Sequence, residues 1–167
     1  MKKLIVSLAI LSLFFGMAGT AMAAATDNHI VTVTVSAINE LAITGGNITL
    51  TINTATAGSE PNSASDATTC DLLWTTNGIN RKITVESDLT PIKFTLNVEA
   101  TGVSGVGTAV PGGATFNTAY TANTPVDFIT GISLTVGTCN LSYTASATAA
   151  QGTGSDVHTV TYTITAG

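Results

Sequence analysis

A period of two runs through this sequence almost from end to end, and it restricts what the chain can fold into more than any other feature. In "HIVTVTVSAI", Val31, Val33 and Val35 fall in one phase while Thr32, Thr34 and Ser36 fall in the other. "NITLTIN" repeats the device with Ile48, Leu50 and Ile52. In "TPIKFTLNVEA", Ile92, Phe94, Leu96 and Val98 alternate with Lys93, Thr95, Asn97 and Glu99. "CNLSYTASA" sets Cys139, Leu141 and Tyr143 in phase, and "HTVTYTIT" does so with Val160, Tyr162 and Ile164. Successive strand residues point to opposite faces, so each segment has one packed face and one wet face, as antiparallel sheets require. Helical periodicity does not recur. The wet positions are dominated by threonine, whose β-branched side chain suits a pleated surface.

Between these runs lie polar, glycine-rich stretches: "AGSEPNSASDA", "TGVSGVGTAVPGGAT" and "AAQGTGSD". Such punctuation marks strand-to-strand connections. The pattern predicts an all-β domain, a single antiparallel Ig-like β-sandwich of about seven or eight strands with Greek-key connections. An up-and-down barrel is the alternative. A transmembrane barrel is disfavoured, because the strands are few and paired aromatic girdles are missing.

The first 23 residues read as an export signal. Met1-Lys2-Lys3 is a short basic start, "LIVSLAILSLFFGMAG" an apolar core, and "AMA" at Ala21 to Ala23 a small-residue cleavage site. This predicts a signal peptide over residues 1–23 and a β-sandwich domain over residues 24–167, secreted or held at the cell surface after passage through the periplasm. No cysteine stands at the cut to carry a lipid, and no membrane insertion is expected once the leader is removed. Loss of Lys2 and Lys3 leaves Arg81, Lys82 and Lys93 against ten carboxylates, a formal charge of −7. Such a surface repels phosphate backbones, so no nucleic-acid partner is expected and adhesion to anionic lipid is disfavoured.

"CDLLWTTNGINRKITVES" (Cys70 to Ser87) holds the only tryptophan and one of two cysteines. Cys70, Leu72 and Trp74 share one phase, Ile83 and Val85 another, and Asn77-Gly78 between them is a hairpin signal because both tolerate positive φ. The stretch is expected to form a hairpin with Trp74 buried. Cys70 and Cys139 both sit in apolar phases of an exported chain, so a disulfide between them is expected. Closing that loop would contribute about 4 kcal/mol in the chain-entropy model. A nucleophilic thiol would need a base, and His29 and His158 belong to no protease-like signature. Calcium is a weaker possibility at Glu60, Asp66 and Asp71, which lack the D-x-D-x-D-G pattern. No phosphate loop, metal spacing or paired carboxylates in an aromatic cleft is present, so the chain reads as a non-enzyme without cofactors.

Three segments carry a resemblance. "VTVTVSAINELAI" after the leader, "ATTCDLLWTTNGINRKITVESD", and the closing "DVHTVTYTITAG" together resemble small bacterial secreted β-sandwich proteins of the spore-coat-U and fimbrial-subunit type. That resemblance implies an exported structural subunit of a cell-surface coat or fibre. The alternating strands at both ends, Val31 to Ile38 and Val157 to Thr165, would suit self-association or pairing with another surface protein through sheet edges, with Val31, Val33 and Val35 as the assembly strand. Few Lys or Pro residues guard them, although exposed edges are usually protected that way. The alternative is that both strands pack at home in a secreted adhesin-like or carbohydrate-binding module, whose contact would use residues 101–115 or an exposed Trp74, Tyr120 or Tyr143.

Cleavage after Ala23 is directly measurable. Intact-mass analysis of protein recovered from the periplasm or culture supernatant is expected to give a chain beginning at Ala24. A mature species that still begins at Met1 refutes the export signal.

Overall fold

The computed structural model describes residues 25–167, so the leader lies outside the described residues. The chain divides into a unit ending at Thr34 and a unit spanning Val35–Gly167. The second is an all-β sandwich of two antiparallel sheets. The larger sheet has the order β1 (Asn39–Thr44), β3 (Asp71–Thr76), β9 (Thr135–Ser146), β5 (Thr95–Ser104), β7 (Ala114–Phe116), with β2 (Ala64–Asp66) also pairing β9. The smaller runs β10 (Val160–Ala166), β4 (Arg81–Ser87), β8 (Val126–Ile132), β6 (Thr108–Ala109). The strand total of ten exceeds the expected seven or eight because β2, β6 and β7 are only two or three residues long. No α-helix occurs among the described residues, only a 3-10 turn at Ala149–Gln151.

The alternation sets the core. Leu72 and Trp74 of β3, Val98 of β5, Phe116 of β7 and Cys139 and Leu141 of β9 are buried from one sheet. Ile83 and Val85 of β4, Phe128, Ile129 and Ile132 of β8, and Tyr162 of β10 meet them from the other. Apolar burial of this kind stabilises a domain by about 25 cal/mol per Å² removed from water.

Three expected strand assignments change. The stretch from Cys70 to Ser87 is not a hairpin: β3 pairs β1 and β9 in one sheet, while β4 pairs β10 and β8 in the other. Residues 77–80 form an arch between sheets, so Leu72 and Trp74 face the β4 sheet across the core instead of lying beside it. The chirality signal is taken up by Asn80, at φ 49°. Asn77 spends its side chain on the incoming chain: its Oδ1 accepts from Ile38 N at 2.7 Å, and its Nδ2 donates to Ser36 O at 2.7 Å.

Val31 to Ile38 forms no strand; pairing begins only at Asn39. Val31, Val33 and Val35 are 70%, 81% and 71% exposed. The third change concerns residues 47–53, which keep Ile48, Leu50 and Ile52 half-buried on alternate positions yet join no ladder. Gly45 explains the departure: at φ 95°, with a hypothetical Cβ only 2.0 Å from Thr69 O, it turns the chain out of the β1–β3 ladder where no other residue fits.

Trp74 depends on a second glycine. It lies opposite Gly137 in the β3–β9 register, and a Cβ on Gly137 would stand 2.2 Å from the indole. The missing side chain is the seat of the largest core residue. Gly137→Ala is therefore expected to destabilise the domain by about 1–3 kcal/mol through overpacking. Urea denaturation should show a lower midpoint at unchanged slope; an unchanged midpoint would mean that Trp74 repacks freely.

Candidate functional site

The departure of residues 47–53 from the sheet leaves a groove. It encloses about 1,310 Å³, above the roughly 300–1,000 Å³ usual for a small-molecule site. One wall is the chain from Gly45 to Ala55; facing it are Phe94 to Leu96 at the start of β5, Tyr143 and Ala145 of β9, and the approach to β10 from Gly152 to Val160. Its apolar lining comes from Ile48, Leu50, Ile52, Leu96, Tyr143 and Val160, and its polar lining from threonines, Asn47, Asn53, Asp156 and His158. The first wall alternates like a strand but bonds to no strand. β10 uses one edge on β4 and stands at the end of its sheet. β10 reaches the groove only at Val160, so the unpaired backbone donors and acceptors that line it belong to the first wall, and these could take a further strand.

The wall opposite residues 47–53 is held by half-buried and exposed polar contacts. Asp156 Oδ2 accepts from Lys93 N at 2.9 Å and Phe94 N at 2.7 Å, which fixes the chain before β10 against the start of β5. Lys93 Nζ donates to Thr153 O at 2.6 Å and lies 5.2 Å from the centroid of the Phe94 ring. The Tyr143 and Tyr162 hydroxyls, 2.8 Å apart, join β9 of one sheet to β10 of the other. Burial pushes both phenols above their ordinary value, so both stay protonated.

Among the described residues, Ser87 and His158 form the one arrangement with a catalytic outline, and nothing in their spacing along the chain announces it. Ser87 Oγ lies 2.9 Å from His158 Nδ1. Ser87, however, is fully buried, and its backbone N donates to the Tyr120 hydroxyl at 3.1 Å. The nearby carboxylates are committed elsewhere, Asp88 accepting from Thr159 N at 2.8 Å and Asp156 from the β5 backbone. A nucleophile needs access to its substrate, and this oxygen has none. The pair fastens the end of β4 to the chain entering β10.

The structure holds Cys70 and Cys139 as free, buried thiols, and the expected disulfide is not formed in it. The register gives the reason. Cys139 stands opposite Leu72, and Leu141 N donates to Cys70 O at 2.9 Å, so the two cysteines are diagonal neighbours on the core face. Diagonal positions are about 7–8 Å apart, against 4.5–5.5 Å for opposed ones, and a bridge needs Cα atoms within about 7 Å. Cys70 Sγ instead donates to Gly46 O at 3.1 Å beside the groove. Burial pushes the Cys139 thiol up to about 11, far from a reactive thiolate.

The remaining candidates are scattered. Asp66 caps its own turn through Thr68 and Thr69, Asp71 accepts from Asn140 Nδ2 at 2.9 Å, and Glu60 accepts from Ala149 N, so the three carboxylates do not converge. Trp74 is buried and offers no platform; Tyr143 lines the groove and Tyr120 does not. His29 is exposed in the first unit and belongs to no strand. Comparison with family models, with curated proteins and with solved structures finds no match to this chain.

His158 gives the groove wall a pH dependence. Burial holds the imidazole below its ordinary value of 6.5, against the opposing pull of Asp156 and Asp88. The folded chain then binds fewer protons than the unfolded chain as pH falls below 6.5, so this contribution to stability is full above that pH and is lost below it. Thermal unfolding of the wild type is expected to weaken as pH drops below 6.5, and His158→Gln to flatten that part of the curve. At lower pH both proteins lose the contributions of Asp66 and Asp88, whose carboxyls are held below 3.8 by their hydrogen bonds to Thr69 and Thr159. Identical curves for the two proteins above the carboxylate range would refute the assignment.

Proposed function

We propose that the protein is an exported structural subunit of a cell-surface coat or fibre, and that copies join when the segment around Val31, Val33 and Val35 of one enters the groove of the next. One observation carries this reading: the same chain has an alternating segment with no sheet partner and a groove whose wall alternates but has no ladder. Each supplies what the other lacks. Backbone bonds along residues 47–53 would provide affinity, and valines in alternate positions would set register. Burying a valine side chain is worth about 1.5–3 kcal/mol, so three give a gross gain that exceeds the low end of the estimated cost of association. The inaccessible Ser87 oxygen and the protonated Cys139 thiol favour a non-catalytic role.

A secreted adhesin-like or carbohydrate-binding module remains the second reading, because Tyr143 and several threonines do line a groove. It is the weaker one, since the tryptophan that would stack on a sugar is buried in the core.

Val33→Asp separates the two. A carboxylate carried into the groove costs several kcal/mol if unpaired, so assembly is expected to disappear. The monomer should keep its circular dichroism and unfolding temperature, because Val33 is exposed in the free chain. Wild-type protein that stays monomeric at high concentration, or a variant that unfolds, defeats strand donation.

A further inference from the structure

A second apolar feature surrounds the point where the amino-terminal segment joins the sandwich. Ile38, Leu134 and Val136, with Thr75, Thr76, Asn77 and Thr135, line a shallow concavity of about 290 Å³. Leu134 is 66% exposed and Val136 73% exposed. Leu134 also sits at φ 44°, a conformation that costs a bulky residue energy, and its N donates to Gly78 O at 2.9 Å. Two arches between the sheets, residues 77–80 and 133–134, are thus tied together here, and they present Ile79 and Leu134 outward. Val106, also exposed, adjoins them through its N–H to Thr135 Oγ1 at 3.1 Å. The backbone of Leu134 ties the arches, but its side chain, in water among other exposed aliphatic side chains, packs against little in the free domain.

We propose that this patch is a second contact between copies of the chain, buried against the rim of the groove that receives the donated segment. The inference rests on the strand-donation reading. Asn77 pins Ser36 and Ile38 to the sandwich, so the segment leaves the domain at a fixed point on the edge of the patch. Val35 and Ile38 are three residues apart and span at most about 10 Å when extended. A neighbour whose groove holds Val35 must therefore lie against whatever surrounds Ile38. The lining of the concavity contains no charged residue, while the whole chain is strongly acidic. Like-charged copies approach more readily where one of them presents no charge. The groove rim offers apolar counterparts in Ile43 and Val157, both exposed.

The test uses protein expressed from the full sequence and purified after export, with association followed by sedimentation velocity over a concentration series. In the double variant Leu134→Asn and Val136→Thr, asparagine accepts the positive φ and threonine keeps the β-branched shape, so the thermal midpoint should hold or rise. Association should weaken about tenfold to a hundredfold, as expected when two aliphatic side chains no longer leave water. If the double variant associates like wild type while Val33→Asp abolishes association, the patch inference is wrong and strand donation stands. If Val33→Asp associates normally while the double variant does not, strand donation fails and this inference falls with it as stated. A wild type that never associates refutes both.

Discussion

From β3 onward, every strand belongs to the sheet opposite the one before it, and this governs the rest of the sandwich. Each connection is an arch across the core, never a hairpin along a sheet, so the inward phase of one strand packs on the inward phase of the next. Leu72 and Trp74 from β3 and Ile83 and Val85 from β4 become facing halves of one core. The ladders must then join strands remote in sequence, β3 to β9 and β4 to β10. Such topology folds slowly, because loop closure is incurred before the contacts that offset it. It also makes close approaches between distant segments decisive, which is why a glycine at 137 determines where the tryptophan at 74 can sit.

That topology explains how much of the molecule was legible in advance. Alternation reports which face of a segment is apolar, and on that point it served well: Cys139, Leu141, Val98 and Tyr162 are buried as their phases require. It is blind to whether the next strand lies beside or across. Asn77-Gly78 therefore suggested a hairpin where the chain builds an arch. Period two also cannot distinguish opposed from diagonal neighbours, so Cys70 and Cys139 were rightly placed on the core face but two residues out of register. The Ser87–His158 contact leaves no trace in sequence at all, since its members come together only once β4 and β10 are paired.

The groove and its wall were half legible. "NITLTIN" and "HIVTVTV" carry the signature of strands, and the inward phase of Ile48, Leu50 and Ile52 survives in the structure. What the pattern could not contain is the partner, because a strand is completed by someone else's edge. Gly45-Gly46 was the available clue: paired glycines between two alternating runs allow the second run to leave the ladder of the first.

An unpaired alternating segment is ordinarily a liability, since exposed edges template aggregation. Here the composition limits the hazard without abolishing the capacity. Thr32, Thr34 and Ser36, not lysine, fill the wet phase of residues 31–36, so the segment is hydrated when free and would carry no buried charge if paired. β-branched residues already favour extended backbone, which reduces the freedom lost on pairing. In the free chain the backbone groups of both segment and groove wall can bond to water, and little is lost by leaving them open. The gain would come when the valines left water together. In the proposed assembly, association would be favoured by the same apolar burial that builds the core, applied across two chains instead of within one.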